Sequence, residues 1–151
     1  MTSPEPLGRL ITAIQPSLLM YLADSGIWSY PGPELVRLAV ADAVDDLASV
    51  VRRATVLLEE REAAVPPKAA YPLSFTGLHD VDLANLLPRV IVGLKRQEAD
   101  LDALTGPAGT DAAAADLVAD AKQSTRQHLD VLEQLAAKLK AGLAGSATAQ
   151  G

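Results

Sequence analysis

Apolar side chains recur at three- and four-residue intervals in four separate stretches of the chain, and polar residues fill the positions between them. This spacing places the apolar side chains along one face of an α-helix, so the pattern predicts four amphipathic helices. The predicted helices cover Leu7–Asp24, Glu34–Glu62, Leu78–Leu104 and Asp111–Lys140. Pro16 and Pro88 lie inside the first and third helices, and we expect each proline to bend its helix because it removes a backbone hydrogen bond.

The links between these helices are short, long and short, in that order. Gly26–Pro33 and Thr105–Thr110 are short, so the helices that each of them joins should be antiparallel neighbours. The Pro-rich stretch 63–77 has about fifteen residues and reaches ~50 Å when extended, against ~42 Å for the second helix. It can therefore run the length of that helix, which makes helices two and three parallel.

Two antiparallel hairpins joined by one long crossover form the ferritin-like arrangement. The predicted fold is accordingly an all-α, left-handed four-helix bundle with ferritin-like connectivity. A plain up-and-down bundle with a loose loop between helices two and three is the alternative. We expect one domain over residues 1–144 and a disordered C-terminal tail over residues 145–151.

Composition narrows the classes of function. Hydrophobic residues make up 49% of the 151-residue chain but aromatic residues only 3%, so the core must consist of Leu, Val, Ile and Ala. The net charge of −6 argues against nucleic-acid binding. No apolar run approaches the ~20 residues of a membrane span, and the N-terminus does not have the pattern of a signal peptide. Without cysteine there is no disulfide or thiolate metal site. We expect a cytoplasmic protein.

Two stretches of the chain resemble a known family. Tyr71–Asp80, which leads into Leu86–Pro88, is similar to the crossover and third-helix entry of rubrerythrin-related, ferritin-like bacterial proteins. The stretch Gln127–Leu135 resembles the segment that carries the second Glu-x-x-His motif of those proteins. The resemblance implies a ferritin-like bundle and directs attention to the positions of the di-iron ligands.

A ferritin-like di-iron site needs one Glu from each of two helices and a Glu-x-x-His pair from each of the other two. His128 lies near the centre of the apolar stripe of the fourth helix, but Thr125 stands where its Glu partner should be. The corresponding pair in the second helix is Asp46 and Ser49, and the third helix offers Glu98. His128, Glu98 and Asp46 are therefore candidate ligands for a single iron or other divalent metal ion. The alternative is that His128 is a core imidazole hydrogen-bonded to a neighbouring polar side chain.

Aromatic residues are concentrated in two of the links. Trp28 and Tyr30 lie in the first link, and Tyr71 and Phe75 lie in the crossover. They either anchor the Pro-rich links onto the helices or form a patch that binds a protein partner, because aromatic side chains dominate the energetics of interfaces.

The chain thus has a complete set of helix-packing faces and an incomplete set of metal ligands. The leading hypothesis is a non-catalytic ferritin-like bundle without a cofactor, which acts as a structural or protein-interaction module and forms homo-oligomers or binds a protein partner. One alternative is a metal-binding, ferritin-like oxidoreductase or iron-handling protein with a mononuclear site. Another is a small-ligand carrier in which bends at Pro16 and Pro88 open the bundle to an apolar guest.

Overall fold

The computed structural model describes residues 5–27, 30–68, 70–78 and 81–149, and every regular element in these ranges is helical. The α-helices are α1 (Glu5–Ile14), α2 (Leu18–Asp24), α3 (Glu34–Glu60), α4 (Leu83–Ala108) and α5 (Ala112–Ala149), and a short 3-10 helix covers Leu73–Leu78. The prediction of an all-α protein is therefore confirmed over the described part of the chain.

The first predicted helix is divided at Pro16. Helix α1 ends at Ile14 and α2 begins at Leu18, because a proline in a helix interior cannot donate a backbone hydrogen bond and its ring clashes with the preceding turn. The hydroxyl of Ser17 accepts a hydrogen bond from the backbone N–H of Met20 at 3.3 Å and caps the new helix. A single bent helix was predicted over this stretch, and the structure instead has two helices separated at Pro16.

Helix α3 ends in a Schellman motif. Glu62 has a φ of 54°, in the left-handed region. The N–H of Glu62 donates to the carbonyl of Glu59, and the N–H of Ala63 donates to the carbonyl of Leu58. These two bonds satisfy carbonyl groups that the last turn of a helix otherwise leaves without partners. The chain then enters the long link toward α4.

Helix α4 begins five residues later than predicted, after Asp82, whose carboxylate accepts a hydrogen bond from the second helical N–H at 2.7 Å. It continues through Pro88, which lies in the second turn and does not divide the helix. The N–H of Leu83 donates to the carbonyl of Pro31 at 2.7 Å and holds the first link against α4. Gly32 is required there, because its φ is 145° and an added Cβ would lie 2.8 Å from Leu83.

Helix α5 begins after Asp111, as predicted. The Oδ1 atom of Asp111 accepts a hydrogen bond from the N–H of Ala114 at 3.2 Å, which is the geometry of an N-cap. The helix extends to Ala149 rather than Lys140, and its last residues contain no proline. Residues 145–149 of the predicted tail thus belong to α5, and residues 150–151 lie outside the described ranges.

The most extensive helix contacts are those of α5 with α4 and with α3, and α1 packs against α3 and α4. Helices α3 and α4 contact each other only sparsely. Ion pairs show the direction of each contact. Along α5, each later residue pairs with an earlier residue of the neighbouring helix. On the α3 side, Asp111 pairs with Arg61 and Asp120 with Arg53; on the α4 side, Lys122 pairs with Asp102 and Glu133 with Lys95. Both α3 and α4 are therefore antiparallel to α5.

The core is one cluster of buried apolar side chains to which all five α-helices contribute, for example Leu10, Leu22, Leu47, Leu94 and Leu132. No helix in the described part of the chain offers an apolar run that could cross a membrane.

Candidate functional site

A polar pair lies inside the apolar core, between α4 and α5. Gln97 and Thr125 are both buried. Thr125 donates its hydroxyl hydrogen to the carbonyl of Ala121 at 2.7 Å and accepts a hydrogen bond from Nε2 of Gln97 at 3.0 Å. This arrangement fixes the orientation of the Gln97 amide, and its Oε1 atom has no hydrogen-bond partner within the described residues. A buried acceptor without a partner costs about 1–3 kcal/mol.

The structure brings two of the three candidate metal ligands together. Nε2 of His128 lies 2.6 Å from Oδ2 of Asp46, which joins α5 to α3. Glu98 lies elsewhere, with its Oε2 atom 3.8 Å from Nε of Arg126. Across residues 5–27, 30–68, 70–78 and 81–149, no group of three or more His, Asp and Glu side chains is arranged to hold a metal ion.

The side chains in the core between the helices do not fit a di-iron centre. Such a centre needs a carboxylate from every helix and two imidazoles, whereas the buried polar positions here hold the neutral groups of Gln97 and Thr125. Sequence reasoning considered Glu98 and missed Gln97. The missed signal was the helical spacing, since Gln97 continues the buried series Val90, Leu94 and Leu101, and Glu98 is one position off it.

The aromatic residues of the crossover pack against α2. The ring centroids of Tyr71 and Phe75 lie 5.2 Å and 5.4 Å from that of Tyr21. In the first link, Tyr30 is buried and its hydroxyl lies 2.9 Å from Oγ of Ser25, so Tyr30 offers almost no surface to a partner. Trp28, the fourth residue of the predicted interface patch, lies outside the described residues.

An ionic contact also fastens the crossover to α2. Nζ of Lys68 lies 2.6 Å from Oδ2 of Asp24, and the hydroxyl of Tyr71 donates to the same oxygen. The hydrogen bond from Lys68, and then that from Tyr71, lower the pKa of Asp24. Partial burial, and then the hydrogen bond to Asp24, raise the pKa of the Tyr71 hydroxyl. Together with the aromatic stacking, this contact explains how a long Pro-rich link follows a defined path.

A surface groove runs between the start of α3 and the distal part of α5. Its volume is about 360 Å³, and its lining includes Leu35, Leu135 and Leu139 together with Glu34 and Lys138. We call this feature the α3–α5 groove. Leu35 is 68% exposed, which is unusual for a leucine on a long helix. Sequence reasoning did not single out these residues.

A second cavity, of about 490 Å³, lies where α1 and α2 separate at Pro16. The 3-10 helix of the crossover contributes Phe75 to its lining, and α4 contributes Arg89, Val92 and Arg96. We call it the helix-break cavity. Its position matches one of the two bends that the small-ligand hypothesis invoked.

The chain matches no protein-family model, no curated protein and no solved structure.

Proposed function

We propose that the protein is a non-catalytic, ferritin-like four-helix bundle that acts as a protein-interaction module and associates with a second copy of itself. In this proposal α1 and α2 together form the first helix of the bundle, and α3, α4 and α5 form the other three. The observation that carries the self-association is the exposed apolar lining of the α3–α5 groove.

The helix contacts support the ferritin-like connectivity. Since α3 and α4 are both antiparallel to α5, they are parallel to each other, and a parallel pair needs a link that travels the length of the bundle. Residues 61–82 supply such a link between Glu60 and Leu83. The sparse contact between α3 and α4 fits their placement on a diagonal of the bundle.

The buried polar pair supports a non-catalytic role. Gln97 and Thr125 occupy the interior of the bundle, where ferritin-like enzymes hold their metal ligands. Neither side chain ionises at physiological pH, so the pair offers neither a general base nor a charged metal ligand. The same pair does tie α4 to α5 through a hydrogen bond.

The α3–α5 groove supports self-association. Leu38 follows Leu35 by one helical turn and is also exposed, so the apolar surface continues along α3. On α5, Val131 precedes Leu135 by four residues and is exposed as well. A contiguous exposed apolar surface rimmed by polar residues is typical of a protein–protein contact site.

The charges at the groove suit a symmetric pair. Glu34 and Lys138 lie on opposite helices that flank the apolar lining. Glu34 already pairs with Arg37 at 2.6 Å but stays 62% exposed. In a two-fold symmetric dimer each surface meets its own copy, so Lys138 of each copy can face Glu34 of the other. Helix α5 also extends about ten residues beyond Leu139, and an isolated helical segment of that length is only marginally stable in water. A second copy that covers the groove would lie beside this extension.

The test is the mass of the protein in solution. We expect sedimentation equilibrium to give a concentration-dependent dimer for the wild type and a monomer for Leu35→Glu, since the new carboxylate would be buried in the contact. Leu73→Glu is the matched control, because Leu73 is 86% exposed on the 3-10 helix, away from the groove. A wild type that stays monomeric at high concentration, or a Leu35→Glu variant that dimerises like the control, would contradict the proposal.

The absence of a cofactor is part of the proposal and has its own test. Elemental analysis after loading with Fe(II), Mn(II) or Zn(II) should find no stoichiometric metal. Stoichiometric metal that is lost in His128→Ala, with helicity retained, would favour the metal-binding alternative, which rests on the contact between Asp46 and His128.

A further inference from the structure

The helix-break cavity has the size and the lining of a ligand pocket. Its volume of about 490 Å³ falls within the ~300–1,000 Å³ of small-molecule sites. Ala13 on α1, Leu18 on α2 and Phe75 in the crossover give it an apolar wall. Val92 on α4 also lines it and is largely exposed, so an occupant would remove apolar surface from water.

The charges at this cavity are opposite in sign to the charge of the whole chain. Arg89 and Arg96 both line it from α4, and neither forms an ion pair within the described residues. Asp100 is the one carboxylate in the lining. The chain as a whole has a net charge of −6. Two arginines that lack acidic partners on an acidic protein are suited to binding an anion, since guanidinium groups pair with carboxylates in bidentate geometry.

Two further residues indicate that the space is kept open and polar. Gly93 lies inside α4, where glycine lowers helix stability, yet an added Cβ would meet nothing within 4 Å. Close packing therefore does not require a glycine at this position of the lining. Gln97 contributes to the lining, and its buried Oε1 atom lacks a hydrogen-bond partner within the described residues. A buried polar group of this kind is expected to have a partner, which a bound molecule or water can supply.

We propose that the helix-break cavity binds a small organic anion with an apolar body, of the chemical class of a medium-chain carboxylate. The anionic group pairs with the guanidinium groups of Arg89 and Arg96. The apolar part of the ligand lies against Leu18, Phe75 and Val92. This site is separate from the α3–α5 groove and does not depend on self-association.

The test uses octanoate as the probe, with octanol and octylammonium as ligands of the same length but different charge. Titration of the ¹⁵N-labelled full chain should give saturable one-to-one binding of octanoate, with amide shifts concentrated around Gly93. Octanol should bind at least about tenfold more weakly, and octylammonium should not bind. Equal binding of octanol and octanoate, or no saturable binding of octanoate, would overturn the proposal.

Variants locate the site. Gly93→Leu should fill the cavity and abolish octanoate binding, whereas Gly142→Leu, at another helical glycine with open space around it, should not. Arg89→Gln and Arg96→Gln should each weaken binding by about fivefold or more. Arg52→Gln on α3 makes the same change of charge outside the cavity lining and should leave binding unchanged.

Two comparisons keep this test separate from that of the dimer. A circular dichroism melt of Gly93→Leu shows whether the variant is folded, and full octanoate binding by a folded Gly93→Leu protein would show that the cavity is not the site. Leu35→Glu should retain octanoate binding even where it abolishes dimerisation, so failure of either proposal can be recognised without the other.

Discussion

Replacing Asp111 by alanine should destabilise the protein more than any exposed charge change on the same two helices. The carboxylate of Asp111 caps the start of α5 through the N–H of Ala114 and also receives two hydrogen bonds from the guanidinium of Arg61 at the end of α3. The side chain of Asp111 is only 7% exposed and that of Arg61 29% exposed, so water screens this pair poorly. One residue thus joins a helix cap to a contact between helices.

The expected magnitude follows from these two roles. Loss of an N-cap side chain costs about 1 kcal/mol, and loss of a charge-assisted hydrogen bond in a largely buried setting costs about 1.5 kcal/mol. Asp111→Ala should therefore lower the free energy of unfolding by about 2.5 kcal/mol, which corresponds to a fall in Tm of about 5–10 °C for a domain of this size. Asp111→Asn keeps an N-cap side chain and loses only the charge-assisted interaction with Arg61. Its free energy of unfolding should therefore fall by about 1.5 kcal/mol.

The contribution of Asp111 to stability should decrease as the pH falls. The hydrogen bonds from Arg61 lower the pKa of Asp111 below its ordinary value, which is about 3.9. Between the folded and unfolded pKa values the unfolded chain binds more protons, so acid favours unfolding. The stabilisation by Asp111 is complete well above the unfolded pKa and disappears as the pH falls through the folded pKa. The difference in free energy of unfolding between the wild type and Asp111→Asn should therefore disappear as the pH is lowered.

Urea denaturation followed by circular dichroism, at pH 7 and then at stepwise lower pH, measures both effects. Asp120→Ala is the matched control, because Asp120 pairs with Arg53 across the same two helices but both side chains are about half exposed; its cost should stay below about 1 kcal/mol. The reasoning would be refuted if Asp111→Ala and Asp120→Ala were equally stable, or if the gap between wild type and Asp111→Asn did not change with pH.

Three further changes test individual features, the first two by urea denaturation and the third by limited proteolysis. Glu62→Gly should stabilise the protein by about 0.5–1 kcal/mol, because glycine adopts the left-handed conformation at the end of α3 without strain; a loss of stability would contradict the Schellman assignment. Gln97→Leu should raise the free energy of unfolding by at most about 1 kcal/mol in the absence of ligand, because removal of an acceptor without a partner is partly offset by loss of the hydrogen bond to Thr125, and a large loss of stability would show that the amide oxygen is satisfied. Asp24→Asn should increase proteolysis of the crossover near Tyr71 relative to wild type, and this difference should shrink at acidic pH because the pKa of Asp24 is lowered in the folded state.

The helices were predictable because each is specified by local signals. The apolar spacing located the long helices, Pro16 marked the position where the first predicted helix is interrupted, although only a bend was expected there, and Asp111 gave the start of α5. The end of α5 was set too early, since an alanine-rich stretch carries no periodic signal and its helicity depends on propensity alone. The start of α4 was set too early as well, because Leu78 is buried but belongs to the 3-10 helix.

The candidate sites were harder to predict because they depend on contacts between distant residues. The pairing of Asp46 with His128 spans 82 positions in sequence, and only the antiparallel contact of α3 with α5 brings the two together. Both residues were considered as metal ligands, and His128 also as an imidazole hydrogen-bonded to a neighbouring polar side chain, but the sequence did not show which carboxylate lies beside it. The helix-break cavity needs α1, α2, the crossover and α4 at once, so no local pattern could reveal its shape.

The residues that carry the two proposals share one property, which is that each departs from the local rule of its helix. Leu35 is an exposed leucine, Gly93 is a glycine in a helix interior without a packing reason, and Arg89 and Arg96 lack acidic partners within the described residues. In the isolated chain the exposed leucine lowers solubility, the helical glycine lowers stability, and the two arginines are left without acidic partners within the described residues. Departures from local rules are expected at sites of function. The Leu35→Glu and Gly93→Leu variants should therefore leave the isolated fold as stable as before, or more stable, while each removes one binding activity.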